Sequence, residues 1–406
     1  MLDRLTIERM AAEAGEGPIL IALSGGGDSV ALLHLLVERV GAGRLRAGIV
    51  DHALRAGSDH DAARARAFAA DLGVEAVILT LAWGKGASRA QQHARQARYA
   101  ALCEHARGLG ARIVAAAHTG DDQAETVLMR AAAGSGWRGL AGMAPFAPVP
   151  LWPEGRGLML ARPLLGARRA ALRDLLRRRG ADWIEDPANA NPAYERVRVR
   201  ARLAALAEAG FDPMRLVRAS ERLRVFAEAL DGAAAELIAA AARFEDHRIV
   251  LDRGSWRGPV EVRRRALSAL VAAAAGAPRE PPAEAVARLE AECAQDSFSG
   301  ASLGGAHIAP AGEGVVIERD RGAVEGRADG VLGVPPLPLH AGVETVWDGR
   351  LAVRASSPHA TAIAATPLPR FVDDDGAPAA VSSRWLLAQR ATHALGAASA
   401  LRGSVP

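Results

Sequence analysis

Apolar and polar positions follow two alternating periods along the first two hundred residues. A short apolar run at 19–23 (ILIAL) reads as a buried strand, and 29–40 repeats apolar residues at helical spacing. "LRAGIVDHAL" supplies a second strand near 46–50, and "SDHDAARARAFAADLG" predicts a helix opened by Ser58 and closed by Gly73. A third strand follows at 75–81, a long helix over 88–107 and a fourth strand at 111–118. A helix over 121–133 and a fifth strand near 158–164 complete the series. This alternation predicts an α/β fold, a doubly wound and mainly parallel sheet that ends near residues 200–215.

The pattern then changes. Residues 212–298 are rich in Ala, Arg and Leu at helical spacing, interrupted by "RGSWRGPVE", and predict a helical module. From 299 onward Gly and Pro rise, and β-like runs such as "GVVIER" and "GRLAVRA" predict a small C-terminal module. The stretch "WLLAQRATHALGAASALRGSVP" reads as a final helix with a frayed tail. The expected division is 1–211, 212–298 and 299–406, within the two or three domains that 406 residues allow. No internal repeat is visible.

Composition narrows the class. Half of the residues are apolar but only 4% are aromatic, so the cores must be built from Ala, Leu and Val. The first residues carry acids and lack the apolar centre of a signal peptide. No apolar stretch approaches the ~20 residues that span a bilayer. Cys103 and Cys293 are far apart, which leaves neither a disulfide framework nor a CxxC metal site. A soluble, cytoplasmic protein with no membrane association is the expectation. Net charge is +4, yet residues 156–224 hold sixteen arginines against eight acids, a local balance of +8. Lys85 is the only lysine, a bias that GC-rich coding would produce without any function. Segregated charge instead reads as a nucleic-acid footprint, with a solvated helical surface as the plainer alternative.

Residues 24–29, SGGGDS, lie between the first strand and its helix. Backbone N–H groups and the helix dipole favour an anion there, and Gly25, Gly26 and Gly27 let it approach closely. The loop has no lysine for a Walker-type phosphate loop and no third glycine for a dinucleotide fingerprint. It carries an acid instead. A carboxylate beside phosphates is repelled unless a divalent cation lies between them, so Asp28 reads as a ligand of Mg²⁺ on a polyphosphate. Read as plain structure, the same residues would be a tight turn and a helix cap.

Asp51, His52 and Arg55 end the second strand, close to a nucleotide bound at the first helix. His52 there is more often structural than catalytic, while Arg55 suits a phosphate or an RNA backbone. Asp121, Asp122 and Glu125 open the helix after the fourth strand, and Asp122 and Glu125 share a face. Acids at a helix start are common in inert proteins, but this helix stands across the switch point from the glycine loop. There they could hold an ammonium group, accept its proton or bind metal. Gly134-Ser135-Gly136-Trp137 then predicts a flexible loop able to close on a substrate.

Ser24–Ser29 resembles the SGGxDS signature of the PP-loop ATP pyrophosphatases. Further elements follow in order: DHALR (51–55), HTGDDQAET (118–126), GSGWRGLAGM (134–143), RPLL (162–165), WIEDPAN (183–189) and YERVRVR (194–200). Together they resemble the tRNA(Ile)-lysidine synthetase family over about residues 18–203. One departure is Val197, where the family commonly has Asn after the arginine matching Arg196.

The resemblance implies a ligase that uses ATP and Mg²⁺ to adenylate the wobble cytidine of a tRNA(Ile) with anticodon CAU. Free L-lysine then displaces AMP from C2 to leave lysidine, with no stable protein partner implied. It implies ATP binding by Ser24, Gly25, Gly26, Gly27, Asp28 and Ser29, with Asp28 at the metal. Asp28, Asp122 and Glu125 would be catalytic, and Asp122, Glu125 and Arg196 would bind lysine. Arg55, Arg177, Arg178, Arg179, Arg198, Arg200 and Arg202 become candidates for tRNA phosphate contacts. A tRNA thiolase of the same superfamily would need reactive cysteines near the site, and a nucleotide-sensing regulator would have dispensable acids.

Overall fold

The apolar run at 19–23 forms the central strand of a six-stranded sheet in the computed structural model. The structure describes residues 1–54, 57–83, 91–185, 191, 193–327, 332–356 and 359–396, apart from the side chains of 91 and 92. These residues fall into two compact units, Met1–Ala227 and Glu228–Pro406.

In the first unit, helix α1 (Arg4–Ala14) precedes β1 (Ile19–Ala22), whose Ile19, Leu20 and Ile21 are almost fully buried. Helix α2 (Gly27–Val40), β2 (Leu45–Asp51), α3 (Ser58–Asp71), β3 (Glu75–Thr80) and α4 (Gln91–Gly108) follow. Then come β4 (Ile113–Ala115), α5 (Gly120–Ala132), α6 (Trp137–Leu140), β5 (Phe146–Pro148) and β6 (Met159–Ala161). Helices α7 (Arg169–Arg178) and α8 (Glu195–Glu208) complete the series, and α9 (Met214–Ala241) spans the boundary between the units in the chain. The sheet order is β3-β2-β1-β4-β6-β5, parallel throughout except for β5. This is the doubly wound α/β fold expected.

Several elements, α1 and β5 among them, go beyond the expectation. Helix α1 buries Ile7, Met10 and Ala14, and β5, only three residues long, is too short to show a period. The fourth strand stops at Ala115 because the chain turns to cap α5 at Thr119, and the fifth stops at Ala161 before Pro163. The strand order reverses beside β1. The carboxyl ends of β1 and β4 therefore open on one crevice, the ligand position of this architecture.

In the second unit, β7 (Ala242–Glu245), β8 (Arg248–Asp252), α10 (Val260–Ala275) and α11 (Ala283–Cys293) lead into β9 (Ala301–Leu303), β10 (Ala306–Ala311) and β11 (Gly314–Arg319). The strands form an antiparallel sheet in the order β7-β8-β11-β10-β9. Helix α10 is buried without a break from Arg265 to Ala275. Its small side chains let it pack on every side, so one core joins residues from the helical stretch, such as Leu270 and Val286, with Ile308 and Ile317 from the β-like stretch. Periodicity alone separates those two stretches; packing unites them. Six further short strands between 337 and 385 form two three-stranded sheets around a second core containing Trp347. Among the described residues no helix is long and apolar enough to cross a membrane.

Candidate active site

The chain leaves β1 at Ala22 and enters α2 at Gly27, so the glycine turn lies at the carboxyl end of the central strand. Gly25 has a φ of +79°, and a Cβ there would stand 2.5 Å from Ile184 Cδ1. Only glycine satisfies both conditions. The Gly25 carbonyl accepts from the Ile184 N–H at 2.9 Å, which closes one side of the turn. Ser29 Oγ donates to the Gly26 carbonyl at 2.8 Å, accepts from the Ser24 N–H at 3.2 Å and lies 3.1 Å from Ser24 Oγ. The hydroxyls at the two ends of the signature thus brace the turn. No side chain caps the first amides of α2, which leaves a helix start suited to an anion.

Asp28 occupies the first turn of α2, and facing it is Arg169, the first residue of α7. Arg169 Nε donates to Asp28 Oδ2 at 3.0 Å, and Nη2 donates to Asp122 Oδ1 at 2.9 Å. Nη1 lies 3.6 Å from Glu125 Oε1. Arg200 of α8 reaches the same oxygen, donating from Nε at 2.8 Å. The second oxygen of Asp122 accepts from the Thr119 N–H and hydroxyl, both at 2.8 Å, as part of the capping box that starts α5. Asp121 acts elsewhere, since its Oδ2 accepts the Arg169 N–H at 2.7 Å and so caps α7.

Three carboxylates from two helices therefore meet two guanidinium groups, and Arg173 acts on Asp28 from further off. Glu125 is only 1% exposed, and its Oε2 has no hydrogen-bond partner among the described residues. The same holds for Asp28 Oδ1. A buried carboxylate oxygen without a donor is costly unless a ligand supplies one.

Burial pushes the Asp28 carboxyl above its ordinary range, against the pull of Arg169. Burial acts the same way on Asp122, but the Arg169 charge and the Thr119 amide together outweigh it and hold that carboxyl low. Burial would weaken the Arg169 guanidinium, yet Asp122 and Asp28 override it, so Arg169 stays charged. Burial, reinforced by Arg162, drives the His118 imidazole down to about 3, which keeps it neutral.

The structure brings Asp28, Asp122 and Glu125 onto one guanidinium. Arg196 lies one turn before Arg200 on α8, half-buried and without a polar partner among the described residues. Arg177 pairs with Asp174 and Arg179 with Glu38, each at 2.6 Å. Arg198 donates to the Ala193 carbonyl at 2.9 Å, while Arg178 and Arg202 are exposed. Arg55 lies outside the described residues, as do 186–189 of the WIEDPAN stretch. The stretch just after the 134–137 loop is fastened. Arg130 Nη1 donates to the Gly139 and Gly142 carbonyls at 2.8 and 3.0 Å, and Trp137–Leu140 is a helical turn.

Sequence reasoning missed Arg169. The signal was present: Arg168 and Arg169 open a helix, where the macrodipole disfavours cations unless nearby carboxylates answer them.

A family profile described as a PP-loop domain matches residues 3–207. The tRNA(Ile)-lysidine synthase of Hyphomonas neptunium is 43% identical over 296 residues, covering 72% of this chain and 78% of that one. The enzyme of the same name from Ruegeria pomeroyi is 38% identical and that from Caulobacter vibrioides 36%. These cover 82% and 90% of this chain, and 76% and 80% of theirs. The chain belongs to the tRNA(Ile)-lysidine synthase family.

Neither cysteine of this member of the tRNA(Ile)-lysidine synthase family is poised as a nucleophile. Cys103 is sealed inside the core on α4, where burial pushes its thiol up to about 12. Burial likewise pushes the Cys293 thiol up, to about 11. Neither has the lowered value of a nucleophile.

Proposed function

We propose that this ATP-dependent ligase joins free L-lysine to C2 of the wobble cytidine of tRNA(Ile) with anticodon CAU, and that its acids divide the two chemical steps. Asp28 serves adenylation, while Asp122, Glu125 and Arg196 serve lysine. What supports this division is the single guanidinium of Arg169, which links an acid on the phosphate-loop helix to two acids across the switch point.

In the first step the cytidine O2 attacks the α-phosphorus of ATP, the bond to the β-phosphate oxygen breaks, and pyrophosphate leaves. Gly25, Gly26, Gly27 and the first amides of α2 hold the phosphates, and Ser24 and Ser29 keep the turn in shape. Mg²⁺ fits this donor set. It characteristically takes one or two carboxylates and completes its shell with phosphate oxygens and water. The partnerless Asp28 Oδ1 is one such oxygen, and no cluster of three or more protein ligands is found among the described residues. When bound, Mg²⁺ would neutralise the departing pyrophosphate.

In the second step the lysine ε-nitrogen attacks C2, the C2–O bond breaks, and AMP leaves. Lysine arrives as an ammonium ion and must lose a proton before it can attack. Both oxygens of Asp122 are engaged, so Glu125 Oε2 is the acceptor available. Exposed Arg178 and Arg202 are candidates for tRNA phosphate contacts, with Arg55, Arg177, Arg179 and Arg198 in the same proposal. A cytoplasmic location, where tRNA, ATP and lysine meet, belongs to the same reading.

The test is incubation of the protein with a CAU-anticodon tRNA(Ile) transcript, Mg²⁺-ATP and radiolabelled lysine, followed by nucleoside analysis. Label at the wobble base is expected, and label absent from the anticodon would refute the proposal.

A further inference from the structure

Every oxygen that a lysine ammonium would need at Asp122 is already taken. Oδ2 holds the Thr119 amide and hydroxyl, and Oδ1 holds Arg169 Nη2 at 2.9 Å. At Glu125, Oε1 receives Arg200 and stands 3.6 Å from Arg169. A protein cation therefore sits where the reading above puts a substrate cation.

We infer that Arg169 is an internal stand-in for the lysine ammonium, keeping the lysine site closed until nucleotide phosphates at the glycine turn draw its guanidinium away. The inference rests on the reading of Asp122 and Glu125 as lysine ligands, and adds an order of binding to it. Three features support it. The backbone of Arg169 is fixed by the bond from its N–H to Asp121, so the change requires only rotation of a long side chain. That side chain already touches Asp28, which borders the turn, so the path to the phosphates is short. A triphosphate offers a guanidinium paired oxygens and more charge than a single carboxylate does.

Arg169 is also distinct from its neighbour. Arg168 turns to Asp212 at 3.2 Å, in a pair half open to solvent. Once Arg169 leaves, Arg200 is the one remaining ion-pair partner of Asp122 and Glu125 among the described residues, and the site calls for a cation. Lysine supplies it. ATP and lysine therefore bind with positive coupling before tRNA joins, and linkage requires each to tighten the other by the same factor.

Calorimetry on the full-length protein without tRNA tests this, using L-lysine as titrant with and without Mg²⁺ and α,β-methylene-ATP. We expect lysine to bind about ten-fold tighter with the nucleotide analogue, within the usual range of coupled sites. Equal affinity in the two titrations would overturn the inference, and this arm needs no variant. In Arg169→Gln the lysine site is open from the start. Lysine alone should bind it at least as tightly as it binds the unaltered protein, and the analogue should change nothing. An Arg169→Gln protein that keeps the full coupling would overturn the inference. Glu125→Gln separates the two levels, since lysine affinity should fall with or without nucleotide. If it does not fall, the lysine-site reading itself fails.

Discussion

Arg200 Nε donates to Glu125 Oε1 across 2.8 Å, joining a carboxylate that is 1% exposed to a guanidinium that is 39% exposed. This pair ties α8 to α5, and we propose that it commits Arg200 to Glu125 rather than to RNA. Replacing Arg200 by Gln leaves a buried carboxylate short of its nearest cation. The usual cost of such a loss shrinks here because one partner is half in water, to about 1 kcal/mol. A thermal melt should show that loss, while the salt dependence of tRNA binding stays as it was.

Arg178 and Arg202 behave in the opposite way. Both are exposed, and neither has a carboxylate partner among the described residues. Arg178→Gln and Arg202→Gln should leave the melting temperature unchanged and weaken tRNA binding. Each should lower the slope of log affinity against log salt by about 1. Filter binding at several salt concentrations reads this directly. An unchanged slope would remove these residues from the tRNA surface.

The glycine turn separates two effects of a methyl group. At Gly25, positive φ and the close approach of Ile184 make Gly25→Ala cost about 1–3 kcal/mol. At Gly27 a Cβ would meet only Trp183 at 3.4 Å, an ordinary contact. Gly27→Ala should therefore melt like the unaltered protein yet lose ATP affinity, because the methyl group stands where phosphate approaches. Melting curves and ATP titrations on both variants check the contrast.

Cys103 tests the reading that no thiol takes part. Its raised pKa has a definite sign: below the ordinary thiol value of about 9 the group is neutral in folded and unfolded chains alike, with no effect on stability. As pH rises from there toward about 12, only the unfolded chain ionises, and stability falls. At pH 8 the native thiol should resist maleimide and react once urea unfolds the chain. Cys103→Ala should still form lysidine. A folded Cys103→Ala protein without that activity would reopen thiol chemistry.

Much of the first unit was legible because each strand and helix carries its own period. Asp121, Asp122 and Glu125 are also neighbours in the chain, so their common position could be read locally. Arg169 could not be found that way, because 141 residues separate it from Asp28 and nothing in the spacing joins them. The arginines of α8 were a different matter. Val199 and Leu203 are buried against Ala124 and Val217, and Arg196 shares their helical face whereas Arg198 does not, while Arg200 and Arg202 flank that face symmetrically. Helical spacing around two apolar residues could have told Arg196 from Arg198, but it took Glu125 to decide that Arg200 turns inward and Arg202 does not. In the second unit an all-round apolar helix such as α10 reads as helical but does not announce which sheet will cover it.

The most direct test of the division of labour is tRNA-dependent exchange of labelled pyrophosphate into ATP, measured on Asp28→Asn and Glu125→Gln without lysine. Exchange reports adenylation alone. It should vanish in Asp28→Asn and persist in Glu125→Gln, even though the latter transfers little lysine when lysine is added. Equal loss of exchange in both variants would contradict the account, since the two acids would then serve the same step.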